Sequence, residues 1–247
     1  MSVWGKVFGA AAGLALGGPL GALLGAVAGH YALDRNDQSP KSDNFDPRGD
    51  TSKVAFTIGV IALGAKMAKA DGQVTRDEID AFKEVFEIPP QEMANVARVF
   101  DMARQDVAGY EQYARQVANM FRQQPRVLED LLAGLFHIAL ADGNFHPNEE
   151  KYLHSVAGIF GFSEDDWTRI RASHLGPDQA DPYVILGVKA DDSDAAIKKA
   201  YRQLVRENHP DKLIAEGMPE EFVQLANEKI ATINDAYDKL CRIRGMN

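Results

Sequence analysis

The chain has 247 residues, a formal net charge of −9 at pH 7 and a single cysteine. This length fits about two small domains with tails, and the apolar fraction of 45 % is ample for packed cores. The acidic balance argues against a general nucleic-acid binder, so no nucleic acid is expected as a partner. One cysteine excludes an internal disulfide and a cysteine-based zinc site.

The first predicted element is an uncharged stretch, residues 7–29, with glycine at every fourth position. As a helix it would be about 34 Å long, enough to cross a bilayer. We therefore predict a glycine-rich transmembrane helix within residues 1–30, kinked at Pro19. Its glycine face would allow a homodimer, although small residues could also serve only the lipid contact and the kink. A cleaved secretory signal ending at Ala26-Val27-Ala28 is the alternative.

Basic residues near the ends of this stretch predict its orientation. Arg35, Lys41 and Arg48 follow it, whereas Lys6 and the amino terminus precede it. This slight bias predicts a single-pass protein of the inner (cytoplasmic) membrane, with the C-terminal domains in the cytoplasm. Residues 31–51, rich in Pro, Ser, Asn and Asp, are predicted to be a polar linker.

Residues 52–174 are predicted to form an all-α bundle. Ser52 could cap a helix that has Val54, Ile58, Ile61 and Ala65 on one side. Apolar spacing predicts six further helices, and no strand is expected between them. These six cover residues 77–86, 91–105, 110–122, 126–140, 147–160 and 164–173.

Within this bundle a short pattern occurs twice, at residues 70–78 and 141–149. Each copy has Ala-Asp-Gly, an apolar residue two positions later and a glutamate seven positions after the aspartate. Glycine in the left-handed conformation would end one helix, and Thr75 or Pro147 would begin the next. Two metal-binding alternatives are weaker than these structural roles. They would use Asp71, Glu78, Asp142 and Glu149, or His146, Glu150 and His154.

With these paired Ala-Asp-Gly motifs, residues 52–173 resemble the TerB-like (tellurite-resistance) domain. The resemblance implies a helical module that binds other proteins. A six-residue linker, 175–180, would hold it close to the C-terminal domain.

A basic amphipathic helix is predicted over residues 195–208. Ser193 supplies its N-cap, and Lys198, Arg202 and Arg206 recur four residues apart on one face. Another face is apolar and is expected to be buried. Its members are Ile197, Ala200, Tyr201 and Leu204.

His209, Pro210 and Asp211 follow this helix directly. Because Pro210 has no N–H and disfavours helical geometry in the residue before it, the tripeptide is predicted to begin a loop. A second helix after Pro219 would complete an antiparallel helical hairpin with the loop at its tip. Its predicted buried stripe is Phe222, Leu225, Ala226, Ile230, Ile233, Ala236, Tyr237 and Leu240.

Residues 181 to about 241 resemble the J domain, the Hsp70-binding module of DnaJ/Hsp40 co-chaperones, and we assign 181–247 to it. The matching motifs are Asp-Pro-Tyr at 181–183, Leu-Gly-Val at 186–188, the helix at 197–204, His-Pro-Asp-Lys at 209–212 and Ile-Asn-Asp-Ala-Tyr at 233–237. The sequence departs from the family at Gln203, where a basic residue is common, and at Ala196, where an acid often completes a capping box.

The resemblance implies an Hsp70 of the DnaK type as partner. His209, Pro210 and Asp211 would contact its ATPase domain near the linker and trigger ATP hydrolysis by that partner. Another set, Lys198, Tyr201, Arg202 and Arg206, would dock on the acidic surface nearby.

The order of these segments resembles the bacterial membrane-anchored DnaJ-like co-chaperones across nearly the whole chain. The resemblance implies a co-chaperone at the membrane, with no cofactor, no metal and no catalytic group of its own. The sequence also shows no nucleophile–base constellation and no phosphate loop. A membrane scaffold or stress sensor, in which the middle domain binds a metal or a protein, is the alternative.

Overall fold

The computed structural model describes residues 17–23, 25, 49–71, 79–80, 83, 93–105, 109–175, 181–215 and 223–246. These residues contain helices but no strand, which confirms the all-α prediction for this part of the chain. The helices are α1 (Gly49–Asp71), α2 (Met93–Gln105), α3 (Tyr110–Met120), α4 (Pro125–Ala139), α5 (Pro147–Phe160), α6 (Glu164–Leu175), α7 (Pro182–Ile185), α8 (Asp194–Glu207), α9 (Pro210–Ala215) and α10 (Val223–Arg244).

Helices α1 to α6 form the middle bundle, and α1 is its central helix. It packs against α2, α3, α4 and α5, and every side chain from Phe56 to Met67 is buried. The prediction of one buried side was therefore too narrow, because a helix that is apolar all round is enclosed on every face. Gly59 permits the close approach, since a Cβ there would lie 3.0 Å from Val117.

The second copy of the Ala-Asp-Gly pattern has the predicted local structure. Gly143 has φ +79°, and Pro147 begins α5. His146 accepts a hydrogen bond from the Asn148 N–H at 3.3 Å, while the Glu149 carboxylate accepts one from the His146 N–H at 3.0 Å. Phe145 packs on Phe136, with ring centroids 5.7 Å apart. Most of the first copy, from Gly72 to Glu78, lies outside the described residues.

Helices α7 to α10 form the C-terminal unit. The predicted hairpin corresponds to α8 and α10, which pack together around Ile197, Ile233, Ala236 and Leu240. Helix α7 lies against α10, and Asp181 caps it by accepting a hydrogen bond from the Tyr183 N–H at 2.9 Å. The tripeptide differs from the prediction because Pro210 starts the short helix α9 instead of a loop. Proline suits the first turn of a helix as well as it ends one.

The middle bundle and the C-terminal unit pack directly on each other. Helix α6 contacts α7 and α10, and α4 also contacts α10. Ala226 of α10 belongs to the apolar core of the middle bundle, whereas Ala172 of α6 belongs to that of the C-terminal unit. The two parts, which were predicted to stay close, thus share an interface.

The predicted membrane helix, residues 7–29, lies largely outside the described residues. Of its described part, residues 18–23 are helical, and Gly17 and Gly18 both have φ +56°. Gln116 of α3 donates to the Gly17 carbonyl oxygen at 2.8 Å and accepts from the Leu20 N–H at 3.0 Å. None of the described helices is both long enough and apolar enough to cross a membrane.

Candidate functional site at the α8–α9 turn

Helix α8 begins at Asp194 because Ser193 caps it. The Ser193 side chain accepts a hydrogen bond from the Ala196 N–H at 3.2 Å, as the sequence predicts. Asp194, in the first turn, pairs with Arg244 of α10 at 3.0 Å. The start of α8 is therefore attached to the end of α10.

Tyr201 fixes the middle of α8 against α10. Its ring stacks on Tyr237, with centroids 4.0 Å apart and planes 8° from parallel. Its hydroxyl donates to Asn234 Oδ1 at 3.0 Å. Tyr201, which was predicted to dock on a partner, thus packs within the hairpin.

The three predicted cationic residues lie on the outer part of α8. Arg202 and Arg206 are exposed, and Lys198 is half-buried. Lys199 adds a further exposed cation beside them. An acidic protein surface could approach this face without displacing part of the fold.

The predicted tripeptide stands at the turn between α8 and α9. The His209 side chain is 56 % exposed and the Asp211 side chain 89 % exposed, while Pro210 is half-buried. His209 Nδ1 accepts a hydrogen bond from the Asp211 N–H at 3.3 Å, and the His209 carbonyl accepts from the Lys212 N–H at 3.0 Å. His209 thereby caps α9, just as His146 caps α5. The imidazole of His209 and the carboxylate of Asp211 both remain accessible to a partner.

An arginine of the middle bundle reaches the end of α8. Arg126, in the first turn of α4, donates from Nη1 to the Glu207 carbonyl oxygen at 3.0 Å. Its Nη2 lies 2.8 Å from Glu207 Oε1, to which Gln203 also donates at 3.0 Å. No sequence pattern indicated this residue, because its partner lies 81 positions further along the chain.

A buried ionic cluster lies one turn further along α4. Glu129 accepts two hydrogen bonds from the Arg169 guanidinium, at 3.1 and 3.0 Å, and one from Lys229 Nζ at 2.8 Å. Burial raises the pKa of the Glu129 carboxyl, but Lys229 and Arg169 outweigh it and hold the pKa well below its usual range. The cluster joins α4 and α6 to α10. The sequence feature that could have indicated this cluster is Lys229, a charged residue on the apolar face of α10 between Ala226 and Ile233.

His174 lies beside this cluster at a cavity of about 520 Å³ between α4, α6 and α10. Its ring stacks on Phe136 at 4.6 Å and 11°. The Nε2 atom is shielded from solvent and has no hydrogen-bond partner among the described residues, although part of the residue reaches the surface. Burial lowers the pKa of His174 to about 3, and the charge of Lys229 acts in the same direction. The imidazole is therefore neutral at physiological pH.

The metal-binding candidates between Asp142 and His154 have other partners, whereas the side chains of Asp71 and Glu78 lie outside the described residues. Asp142 accepts a hydrogen bond from the Asn144 N–H at 2.8 Å, and Glu149 is the capping acid of α5. Glu150 pairs with Arg171 at 2.6 Å and His154 with Glu164 at 2.9 Å. Among the described residues no three His, Cys, Asp or Glu side chains converge as metal ligands.

Three family models match the chain in succession. Residues 1–49 match the co-chaperone DjlA transmembrane domain, residues 57–172 match tellurite resistance protein TerB, and residues 181–244 match the DnaJ domain. The DnaJ match contains α7 to α10 and the whole α8–α9 turn. No solved structure shows a significant match.

Curated relatives that share one name are similar to this chain over most of its length. Co-chaperone protein DjlA of Vibrio vulnificus is 30 % identical over 225 residues, which are 77 % of this chain and 78 % of that protein. The proteins of that name from Mannheimia succiniciproducens and Haemophilus ducreyi are 28 % and 29 % identical, over 79 % of this chain and 82 % and 81 % of theirs. With an exposed His-Pro-Asp turn, a DnaJ match and these relatives, the chain belongs to the DjlA family of J-domain co-chaperones.

Proposed function

We propose that this co-chaperone stimulates ATP hydrolysis by an Hsp70 of the DnaK type. The observation that carries the proposal is the exposed tripeptide His209-Pro210-Asp211 next to the cationic face of α8. The cationic face attracts an acidic surface of the Hsp70, and the tripeptide then contacts it. The chemistry belongs to the Hsp70, and the chain supplies a docking surface.

The test is the ATPase rate of purified DnaK with the full-length chain and its variants. His209→Gln removes the imidazole and is expected to abolish stimulation. His146→Gln is the matched control, because His146 also precedes a proline and caps a helix, but within the middle bundle. Equal stimulation by His209→Gln and the unaltered chain would remove the proposed role of the tripeptide.

The cationic face makes a separate contribution, which we expect to be affinity. Replacing Arg202 and Arg206 by alanine is expected to raise the half-saturating concentration about tenfold at low salt, with less effect at high salt. Arg122→Ala, an exposed arginine of the middle bundle, is the control for loss of charge. A half-saturating concentration that does not respond to these substitutions would leave α8 without a docking role.

We also propose that residues 7–29 span the inner membrane once, with residues 52–174 and 181–247 in the cytoplasm. Because α3 would then lie in the cytoplasm, membrane insertion would break the hydrogen bonds of Gln116 to Gly17 and Leu20. The uncharged length of the stretch, the excess of basic residues after it and the family match of residues 1–49 support this proposal. A reporter that is active only in the cytoplasm should be active both when it is fused after residue 50 and when it is fused after Asn247. A periplasmic signal from either fusion would contradict the orientation.

Self-association through the glycine face is part of the same proposal. Replacing Gly9, Gly13 and Gly21 by leucine is expected to reduce cross-linked dimer in membranes, because bulky side chains keep two helices apart. An unchanged dimer fraction, or no dimer in the unaltered protein, would exclude this interface.

A further inference from the structure

The residue that ends α8 has its backbone held by another domain. At the C-terminus of any helix the last carbonyl groups lack partners within the helix. The Leu204 carbonyl accepts from the Asn208 backbone N–H at 2.9 Å and from its side-chain amide at 2.7 Å. The Glu207 carbonyl accepts from Arg126 of the middle bundle instead. His209 follows only two residues later.

Arg126 also resolves an unfavourable charge. Glu207 places a carboxylate at the negative end of the α8 dipole, where an anion is disfavoured and a cation is favoured. The Arg126 guanidinium lies 2.8 Å from this carboxylate, so one planar fork satisfies both the carbonyl and the acid. Loss of Arg126 would leave Glu207 opposed to the helix dipole at the start of the α8–α9 turn.

The backbone of Arg126 is fixed by the packing of the first turn of α4. Pro125 starts α4, and the neighbours of Arg126, Val127 and Leu128, are 1 % and 2 % exposed in the core of the middle bundle. Glu129, one turn further on, binds Lys229 of α10. Successive turns of α4 therefore hold both helices of the hairpin, one at the end of α8 and one on α10.

We propose that Arg126 of the middle bundle is a positioning residue for the His-Pro-Asp site: it fixes the last turn of α8 and with it the direction of the tripeptide. The inference rests on the proposed Hsp70 function. It adds a structural link between the middle bundle and the His-Pro-Asp site. The cationic residues Arg202 and Arg206 remain exposed, so the contact supports the docking face without covering it.

The first test is amide hydrogen exchange in the full-length chain without Hsp70. Arg126→Ala should accelerate exchange in peptides covering residues 204–212 about threefold or more, because the last turn of α8 opens more readily. Arg126→Lys should have an intermediate effect, since a single ammonium cannot donate as a fork to both oxygens. Arg122→Ala should match the unaltered chain. Equal exchange in Arg126→Ala and Arg122→Ala would overturn the proposal.

The second test is the stimulated DnaK ATPase rate as a function of co-chaperone concentration. Arg126→Ala should lower the maximal stimulation about threefold and leave the half-saturating concentration within about twofold, because the docking cations are intact. Arg126→Lys should recover part of the maximum. A normal maximal rate for Arg126→Ala would overturn the positioning role even if exchange were faster.

Exchange also separates this inference from the function on which it rests. If the unaltered chain gave no stimulation, the proposed function would fail while the exchange result still decided whether Arg126 fixes the turn. Trp167 fluorescence in a Trp4→Phe background, measured at the pH of the exchange experiment, checks that each variant keeps a folded middle bundle. If a variant is unfolded by this measure, Glu207→Gln replaces it, because this substitution keeps the contact between Arg126 and the carbonyl of residue 207. Glu207→Gln should accelerate exchange less than twofold. A larger acceleration would contradict the role of the carbonyl.

Discussion

His174 couples the stability of the fold to pH through a single side chain. Its Nε2 is enclosed between α4, α6 and α10 without a hydrogen-bond partner, and Lys229 and His137 line the same cavity. The pKa of His174 is lowered from 6.5 to about 3, mainly by burial. Between these values the unfolded chain binds a proton that the folded chain does not, so acid favours unfolding.

We predict that the free energy of unfolding falls as the pH is lowered from 6.5 towards 3, with His174 contributing up to about 1.4 kcal/mol per pH unit. His174→Phe keeps a ring against Phe136 and should remove this part of the slope. Urea unfolding at a series of pH values measures it. An unchanged slope in His174→Phe would show that burial of the imidazole has no effect on the pH dependence.

At the level of single residues, the sequence predicted local roles better than distant ones. Ser193, Gly143 and Pro147 were assigned correctly because caps and left-handed glycines depend on neighbours within three or four positions. Arg126 and Glu129 were missed, since their partners lie 81 and 100 positions away. Tyr201 is half-buried against Tyr237, on the face that its spacing predicts to be buried, and its docking role remains a prediction.

Among the elements, α5 shows two glycines with opposite effects. Gly161 caps the helix with φ +90°, which L side chains rarely adopt, and its N–H bonds to the carbonyls of Ala157 and Gly158. Gly158 is exposed within the helix, and a Cβ there would meet nothing within 4 Å. One glycine is required by the backbone, and the other only weakens the helix.

We predict that Gly161→Ala destabilises the fold by about 1 kcal/mol and that Gly158→Ala stabilises it by about 0.5–1 kcal/mol. Urea unfolding followed by Trp167 fluorescence in a Trp4→Phe background measures both changes in stability. Each variant adds the same methyl group to the same helix, so the pair is its own control. Effects of the same sign would show that backbone conformation does not decide the outcome.

Helix boundaries among the described residues followed the sequence to within a few positions, except at Ser52 and at one proline. Ser52 does not cap α1, because that helix already begins at Gly49. The same His-Pro pair occurs at 146–147 and 209–210, and in both the histidine caps a helix that the proline begins. The first was predicted as a helix start because a glutamate at the third position and an apolar run follow it. At 209–210 a basic helix precedes the proline, so Pro210 was predicted only to end that helix. Proline has both roles, and the sequence on its far side decides between them.

On the scale of the whole molecule, the two folded parts of the chain share one interface. Lys229 is 7 % exposed in the C-terminal unit, and its ammonium lies within 3.7 Å of both Glu129 and Asp130 of the middle bundle. Sequence spacing could predict only that the short linker keeps the parts close. The charged Lys229 on the apolar face of α10 indicates a buried partner, but a partner one hundred residues away leaves no periodic pattern that would identify it.

We predict that a substitution in α10 destabilises the middle bundle. Lys229→Met removes the ammonium from a buried carboxylate, and Arg169 compensates for only part of the loss, so the cost should be about 1–3 kcal/mol. The readout is the urea midpoint of Trp167 fluorescence in a Trp4→Phe background. Lys199→Met, at an exposed lysine of α8, should leave the midpoint unchanged. An unshifted midpoint for Lys229→Met would mean that the two parts unfold independently.

The contact of Gln116 with the glycine pair constrains how the sequence of this family can change. A Cβ on Gly18 would lie 2.6 Å from Gln116 Oε1, and moving that amide would break its bonds to Gly17 and Leu20. A larger residue at position 18 therefore requires a shorter one at position 116, together with a backbone that leaves the left-handed region. In an alignment of homologues, these two positions, 98 apart, are expected to covary. Such covariation would indicate that the contact between the glycine-rich stretch and α3 is present in those chains too.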